Sequence, residues 1–153
     1  MLIYDVRNLY MSIRIKYGKR ARLDCHVLEN AFDEMIKLAC MCRNESNSSE
    51  FKHILYSHGF KVLEKVFMSK PAKFLDTYCT SMVASEIVNS DYPELHVISQ
   101  SPHLIPAIRV AQSNGVRINL YGMCLPHELI KEVDHHQELE REYIKFETAK
   151  ATK

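Results

Sequence analysis

Three groups of side chains in this sequence have the types and spacing to do chemistry. The first is acidic or amide: Asp5 and Asn8, three residues apart, with Asp76 and Asp134 further along the chain. Carboxylates that converge can hold a divalent cation, which activates water and steadies a departing oxygen. The second is a short polar run, Ser99, Gln100, Ser101 and His103, that offers hydroxyl, amide and imidazole groups in one turn. The third is cationic. Arg14, Lys16, Lys19, Arg20 and Arg22 put five positive charges into nine residues without an acid, and Arg7 stands just upstream. Such density favours contact with phosphate, although it equally suits a solvated loop. Plainer roles exist for the others too: Asp5, Asn8 and Asp76 suit helix caps, and Asp134 suits a solvated helix face. Ser99, Ser101 and His103 lack an orienting acid, which argues against a nucleophile and its base.

The elements that must position these groups follow from hydrophobic spacing. Leu95, Val97 and Ile98 read as a buried strand, Ser99 to Pro102 as a turn, and Leu104, Ala107, Ile108 and Ala111 as one helical face. Pro106 fits the first turn of that helix, Asn114-Gly115 its end, and Val116 to Tyr121 the next strand. A helix N-terminus after a strand offers unpaired N–H groups to an anion. Met1 to Tyr4 predicts a strand that leaves Asp5 at its carboxyl end, and Val6 to Lys16 predicts a helix stopped by Gly18. Asp24 caps a second expected helix, apolar on one side through to about Cys42. Phe51 to Ser57 reads as a strand, residues 59–69 as a short helix or turn and then a strand, and Asp76 as the cap of a helix reaching Asn89. From Pro126 the spacing predicts a final helix to about Phe146, with a frayed tail. Its Leu129, Ile130, Val133, Leu139 and Tyr143 suit either the sheet or a second copy of the chain.

Strands alternating with helices define an α/β protein: a Rossmann-like three-layer α/β/α sandwich with a mostly parallel sheet of about five strands. The expected division is a domain over residues 1–139 and a C-terminal helical extension and tail over 140–153. DVRN follows the first strand where a dinucleotide site would have GxGxxG, so a dinucleotide is not expected. The formal net charge of +1 excludes a wholesale polycation. No run approaches the roughly 18 apolar residues of a membrane span, and the first residues carry charge too early for a signal peptide. Five cysteines, an odd number, suit reduced thiols in the cytoplasm, and Cys40-Met-Cys42 is too tight for a zinc-ribbon pair.

Four stretches together resemble the NYN domain family of PIN-like nucleases, which includes the LabA-like proteins. IYDVRNLY at 3–10 is similar to the family's opening strand and Asp-x-x-Asn, and KFLD at 73–76 to its Lys-x-x-Asp. VISQSPHL at 97–104 lies where the family has Val-Ser-Gly-Asp-x-Asp-Phe, and ELIKEVD at 128–134 resembles its closing Leu-x4-Asp. The resemblance implies a PIN-like fold and a Mg²⁺ or Mn²⁺ site in which Asp5 is the first ligand and Asn8 its polar partner. The other family carboxylates fall on Met82, Ser101 and His103, and the family glycine on Gln100. Three of four anionic ligands are thereby replaced, and Asp5 alone should hold Mg²⁺ weakly. The expectation is a nuclease-derived domain that no longer cuts. It would bind nucleic acid, RNA above all, or a protein partner, without a cofactor, through Arg7, the basic 14–22 segment and the Ser99 to His103 turn. The rival readings are a surviving metal-dependent ribonuclease using the remaining acids, and a pure protein-interaction module.

Overall fold

The computed structural model describes residues 1–148. Leu2–Asp5 forms β1, Val6–Tyr17 α1, Ala21–Leu23 β2 and Cys25–Ala31 α2. Lys37–Asn44 is β3, Glu50–Ser57 α3, Phe60–Phe67 β4 and Ala72–Asn89 α4. Glu94–Ile98 is β5; a single 3-10 turn at Pro102–Leu104 leads into α5, Ile105–Ser113. Arg117–Gly122 is β6, His127–Ile130 α6 and His135–Glu138 β7; after a 3-10 turn at Arg141–Tyr143, Ile144–Phe146 is β8.

Six strands make one sheet in the order β4-β3-β1-β5-β6-β7, with every pairing parallel, while β2 and β8 form a separate antiparallel pair. Alternation along β1 sorts the core into two halves. Leu2 and Tyr4 pack with Leu9, Leu28 and Leu55 of α1, α2 and α3, whereas Ile3 packs with Val83, Ile87 and Ile108 of α4 and α5. Helices therefore cover both faces, and the protein is a Rossmann-like three-layer sandwich with one more strand in its sheet than expected. Among the described residues no helix is long and apolar enough to cross a membrane. Exposed His135, His136 and Gln137 keep the β7 edge polar, whereas on β4 exposed Lys61 and Lys65 alternate with exposed Leu63 and Val66.

The expected strand at Leu95, the helix at Val6, the Asp24 cap, Pro106 in a first turn and the Gly115 stop (φ 85°) all stand in the structure. Several other elements differ. The expected second helix ends at Ala31, and LACMC belongs to β3, a strand buried on both faces. Such a run carries no period, so it fits either template. Residues 50–57 are helix α3 rather than a strand; the turn expected to reach Leu63 covers only His58 and Gly59, and β4 occupies 60–67.

Asp76 is not a cap: α4 starts at Ala72 behind Pro71, so Asp76 lies inside the helix. The long final helix is replaced by α6, β7 and β8, because tertiary partners take over its backbone and acids. Asp134 N–H donates to the Ile118 carbonyl, and Glu138 accepts from the Cys124 and Leu125 N–H groups. Leu129, Leu139 and Tyr143 are buried in the fold itself, which takes them from any dimer face. Residues 141–146 are a 3-10 turn and a strand rather than a helical extension, and the end of the tail, 149–153, lies outside the described residues.

Candidate nucleic-acid interface

From β1 the chain builds the sheet outward through β3 and β4, then returns to β5 and builds the other side through β6 and β7. The order thus reverses between β1 and β5. In an open parallel sheet, ligands bind in the crevice beyond the carboxyl ends at that reversal. Here the crevice is occupied by the protein's own side chains.

Asp5, fully buried at the end of β1, is the centre of that filling. Its Oδ2 accepts from Thr80 Oγ (2.9 Å) and Ser99 Oγ (3.0 Å), and its Oδ1 from Cys79 Sγ (3.3 Å) and the Asn8 N–H (3.4 Å). The last bond makes Asp5 the N-cap of α1. Asn8 Oδ1 accepts from the Gln100 N–H at 2.9 Å, and Ser99 and Ser101 oxygens accept from the N–H groups of Ser101 and His103. Sequence reasoning grouped Asp5, Asn8 and Ser99 to Ser101, and they do meet. It missed Cys79 and Thr80, which lie one helical turn beyond Asp76, a spacing that points them toward the same end of the sheet.

All four groups that donate to Asp5 are uncharged. Burial raises the pKa of the carboxyl, and the hydrogen bonds from Thr80, Cys79, Ser99 and Asn8 offset only part of that rise. A buried carboxyl with neutral partners and no exposure is a poor ligand for a hydrated divalent ion. The only group of three metal-ligating side chains that converges among the described residues excludes Asp5, Asp76 and Asp134. Asp76 Oδ1 instead accepts from Arg7 Nε at 2.6 Å. Asp134 stands at the amino end of β6, where its Oδ2 accepts from the Ile118 N–H, so it lies at the opposite end of the sheet from Asp5. Met82 packs on Cys42.

The open space lies one strand over, beyond the ends of β1 and β3. A cavity of about 680 Å³ is lined there by Arg7, Arg22, Arg43, Lys70 and Lys145, against the carboxylates of Glu50 and Glu147. That volume lies within the usual range of ligand sites. Three of the cations have acidic partners: Arg7 with Asp76, Arg22 with Glu147 at 3.1 Å, and Arg43 with Glu64 at 3.2 Å. Lys70 and Lys145, both exposed, have no carboxylate within 4.0 Å among the described residues. Tyr10, 43% exposed, and Phe51 supply aromatic surface beside them, and Asn44, Asn47 and Ser48 supply neutral polar groups.

The basic segment is divided by the fold. Arg22 reaches the cavity from β2, but Arg14, Lys16, Lys19 and Arg20 do not line it. Arg14 bonds to the Tyr10 hydroxyl and stacks on its ring, Lys16 sits over Tyr17, and Lys19 and Arg20 are exposed in the turn after α1. His103 is also apart, in a separate shallow groove between α4 and α5 with Val88 and Val110. Arg43, Lys70 and Lys145 had no signal in the sequence, since each is isolated in its own segment.

No family model and no curated protein matches the chain. Among solved structures, a protein of unknown function from Vibrio parahaemolyticus is similar, with a TM-score of 0.75 over 94% of each chain at 21% identity. That likeness is one of fold.

Proposed function

We propose that this chain is a degenerate relative of the NYN/PIN-like nucleases that binds single-stranded nucleic acid, RNA above all, in its basic cavity and does not cut it. The observation that carries this reading is the separation of two features: the cations surround an open cavity over β1 and β3, while Asp5 is sealed among neutral donors. Phosphate recognition needs the first and metal-assisted hydrolysis needs an accessible version of the second. Lys70 and Lys145 offer charges free of acidic partners to a backbone, and Tyr10 and Phe51 offer faces on which a base can stack.

The ribonuclease reading requires Asp5, Asp76 and Asp134, with His103, around one ion. Asp76 is engaged by Arg7 and Asp134 lies at the other end of the sheet, so it is not favoured. Five free thiols accord with the cytoplasm as the compartment. Incubating the purified protein with end-labelled single-stranded RNA and Mn²⁺ tests the proposal. The RNA is expected to be retained at low salt and recovered at full length. Cleavage that Asp5→Ala abolishes, or failure to retain RNA at low salt, would overturn it.

A further inference from the structure

Where α2 meets α3, two histidines and a glutamate converge, and none of the three lines the basic cavity, although neighbouring Cys25 and Ile54 do. His26 and Glu29 stand three residues apart on α2 and so share one face of it. His58 follows the last residue of α3, two residues before β4, which places the cluster at the amino end of that strand. The basic cavity lies beyond the other end, where Asn44 pairs with Phe67. Each of the three side chains offers one ligand atom, and these atoms lie within 4.8 Å of one another.

The backbone holds all three in place. Asp24 Oδ1 accepts from the His26 N–H at 3.1 Å and fixes the start of α2. The His58 N–H donates to the Ile54 and Leu55 carbonyls at the end of α3, and Gly59, at φ 80°, turns the chain into β4 behind it. His58 Nδ1 lies 2.7 Å from Glu29 Oε2, and the His26 ring meets the His58 ring edge-on at 6.4 Å between centroids. Asn30 Nδ2 lies 3.3 Å from His26 Nε2, and its amide would have to turn over for the oxygen to accept a ring N–H from a ligating His26. A hydrogen bond between Glu29 and His58 accounts for two members of the group, but gives no reason for the third to be there.

We propose that His26, Glu29 and His58 bind a first-row divalent transition ion of the Zn²⁺ class, which clips α2 to α3. Two imidazoles and one carboxylate are a common zinc ligand set, and nitrogen ligands select against Mg²⁺ and Ca²⁺. Tetrahedral ligands about 2.0–2.1 Å from zinc stand roughly 3.4 Å apart. The Glu29–His58 pair, at 2.7 Å, opens to that as the ion enters, and His26, exposed and free to turn, rotates to meet it. The ion takes the place of the proton shared by Glu29 and His58, which passes to solvent, and water fills the fourth position.

Cobalt is the probe. Titrating the metal-stripped full chain with Co²⁺ should produce tetrahedral visible bands that saturate at one equivalent and disappear when Zn²⁺ is added. Glu29→Gln and His58→Ala should each weaken Co²⁺ binding at least tenfold, while a His135→Ala/His136→Ala double variant on β7 should bind as the parent does. If His58→Ala unfolds, as far-ultraviolet circular dichroism would show, exposed His26→Gln carries the same comparison. Absence of tetrahedral bands in the parent protein, or bands that survive substitution of His26 and Glu29, would overturn the assignment. RNA retention is read separately, so neither outcome depends on the basic cavity.

Discussion

The Ser99 hydroxyl donates to Asp5 Oδ2 at 3.0 Å, tying the end of β5 to the end of β1 across the point where the sheet order reverses. Thr80 makes the matching bond from α4. The side chain that a metal-dependent nuclease would direct at its substrate is thus a structural pin between three elements. Asp5→Ala should leave two hydroxyls and the Asn8 N–H without their acceptor and cost roughly 3 kcal/mol. Asp5→Asn keeps the shape, and rotated hydroxyls can meet its amide, so its cost should stay within about 1 kcal/mol. Urea unfolding of the two variants checks the contrast.

The same burial gives Asp5 a pH signature. Its carboxyl pKa is raised in the folded protein, chiefly by burial, so the native state holds the proton more tightly than the unfolded chain does. The stability this group contributes is fully present below the unfolded carboxyl value and is lost as pH rises through the folded one. Asp5→Asn should therefore gain stability relative to the parent as pH rises above the ordinary carboxylate range. Unfolding midpoints of both proteins across that rise measure it, and a relative gain toward acid would contradict it.

Arg7 and Asp76 form a half-exposed ion pair beside the basic cavity. Such pairs contribute between about 0 and 1 kcal/mol, so Asp76→Ala should hardly change stability. Its main effect should be electrostatic: Arg7 is released to a phosphate, and RNA affinity should rise about twofold to threefold at low salt. A metal ligand would respond in the opposite sense, with loss of any Mn²⁺-dependent activity. Binding curves for the parent and Asp76→Ala distinguish the two.

Leu139 is fully buried, and Tyr143 behind it accepts from the Asp24 N–H through its carbonyl at 2.7 Å. Leu139→Ala should destabilise the fold by about 2–5 kcal/mol. Its oligomeric state should not change, because this segment closes the protein's own core. Unfolding and light scattering on the same variant check both parts.

The fold was legible wherever a strand or helix had its own period and its own punctuation. Leu95 to Ser113 has a clean strand, a polar turn and a well-placed proline, and it reads correctly from sequence alone. LACMC failed because burial on both faces erases periodicity, and HHQE failed because its strand exists only through pairing with β6. The polar turn and Asp5 were legible as neighbours, since both follow strands in a parallel sheet. Their burial was not, because Cys79 and Thr80 close over them from 74 and 75 residues further along the chain. The cavity was least visible. Arg43, Lys70 and Lys145 come from three separate segments, and no local window contains two of them.

Fluorescence anisotropy of labelled single-stranded RNA, measured across a range of salt for the parent and for a Lys70→Glu/Lys145→Glu variant, tests recognition at the basic cavity most directly. Both lysines are exposed, so the fold should tolerate the change. Binding by the parent should fall linearly with the logarithm of salt. The variant should bind at least tenfold more weakly, with a slope smaller by about 1.4, or roughly 0.7 for each phosphate contact removed. Equal affinity and equal slope for the two proteins would contradict it.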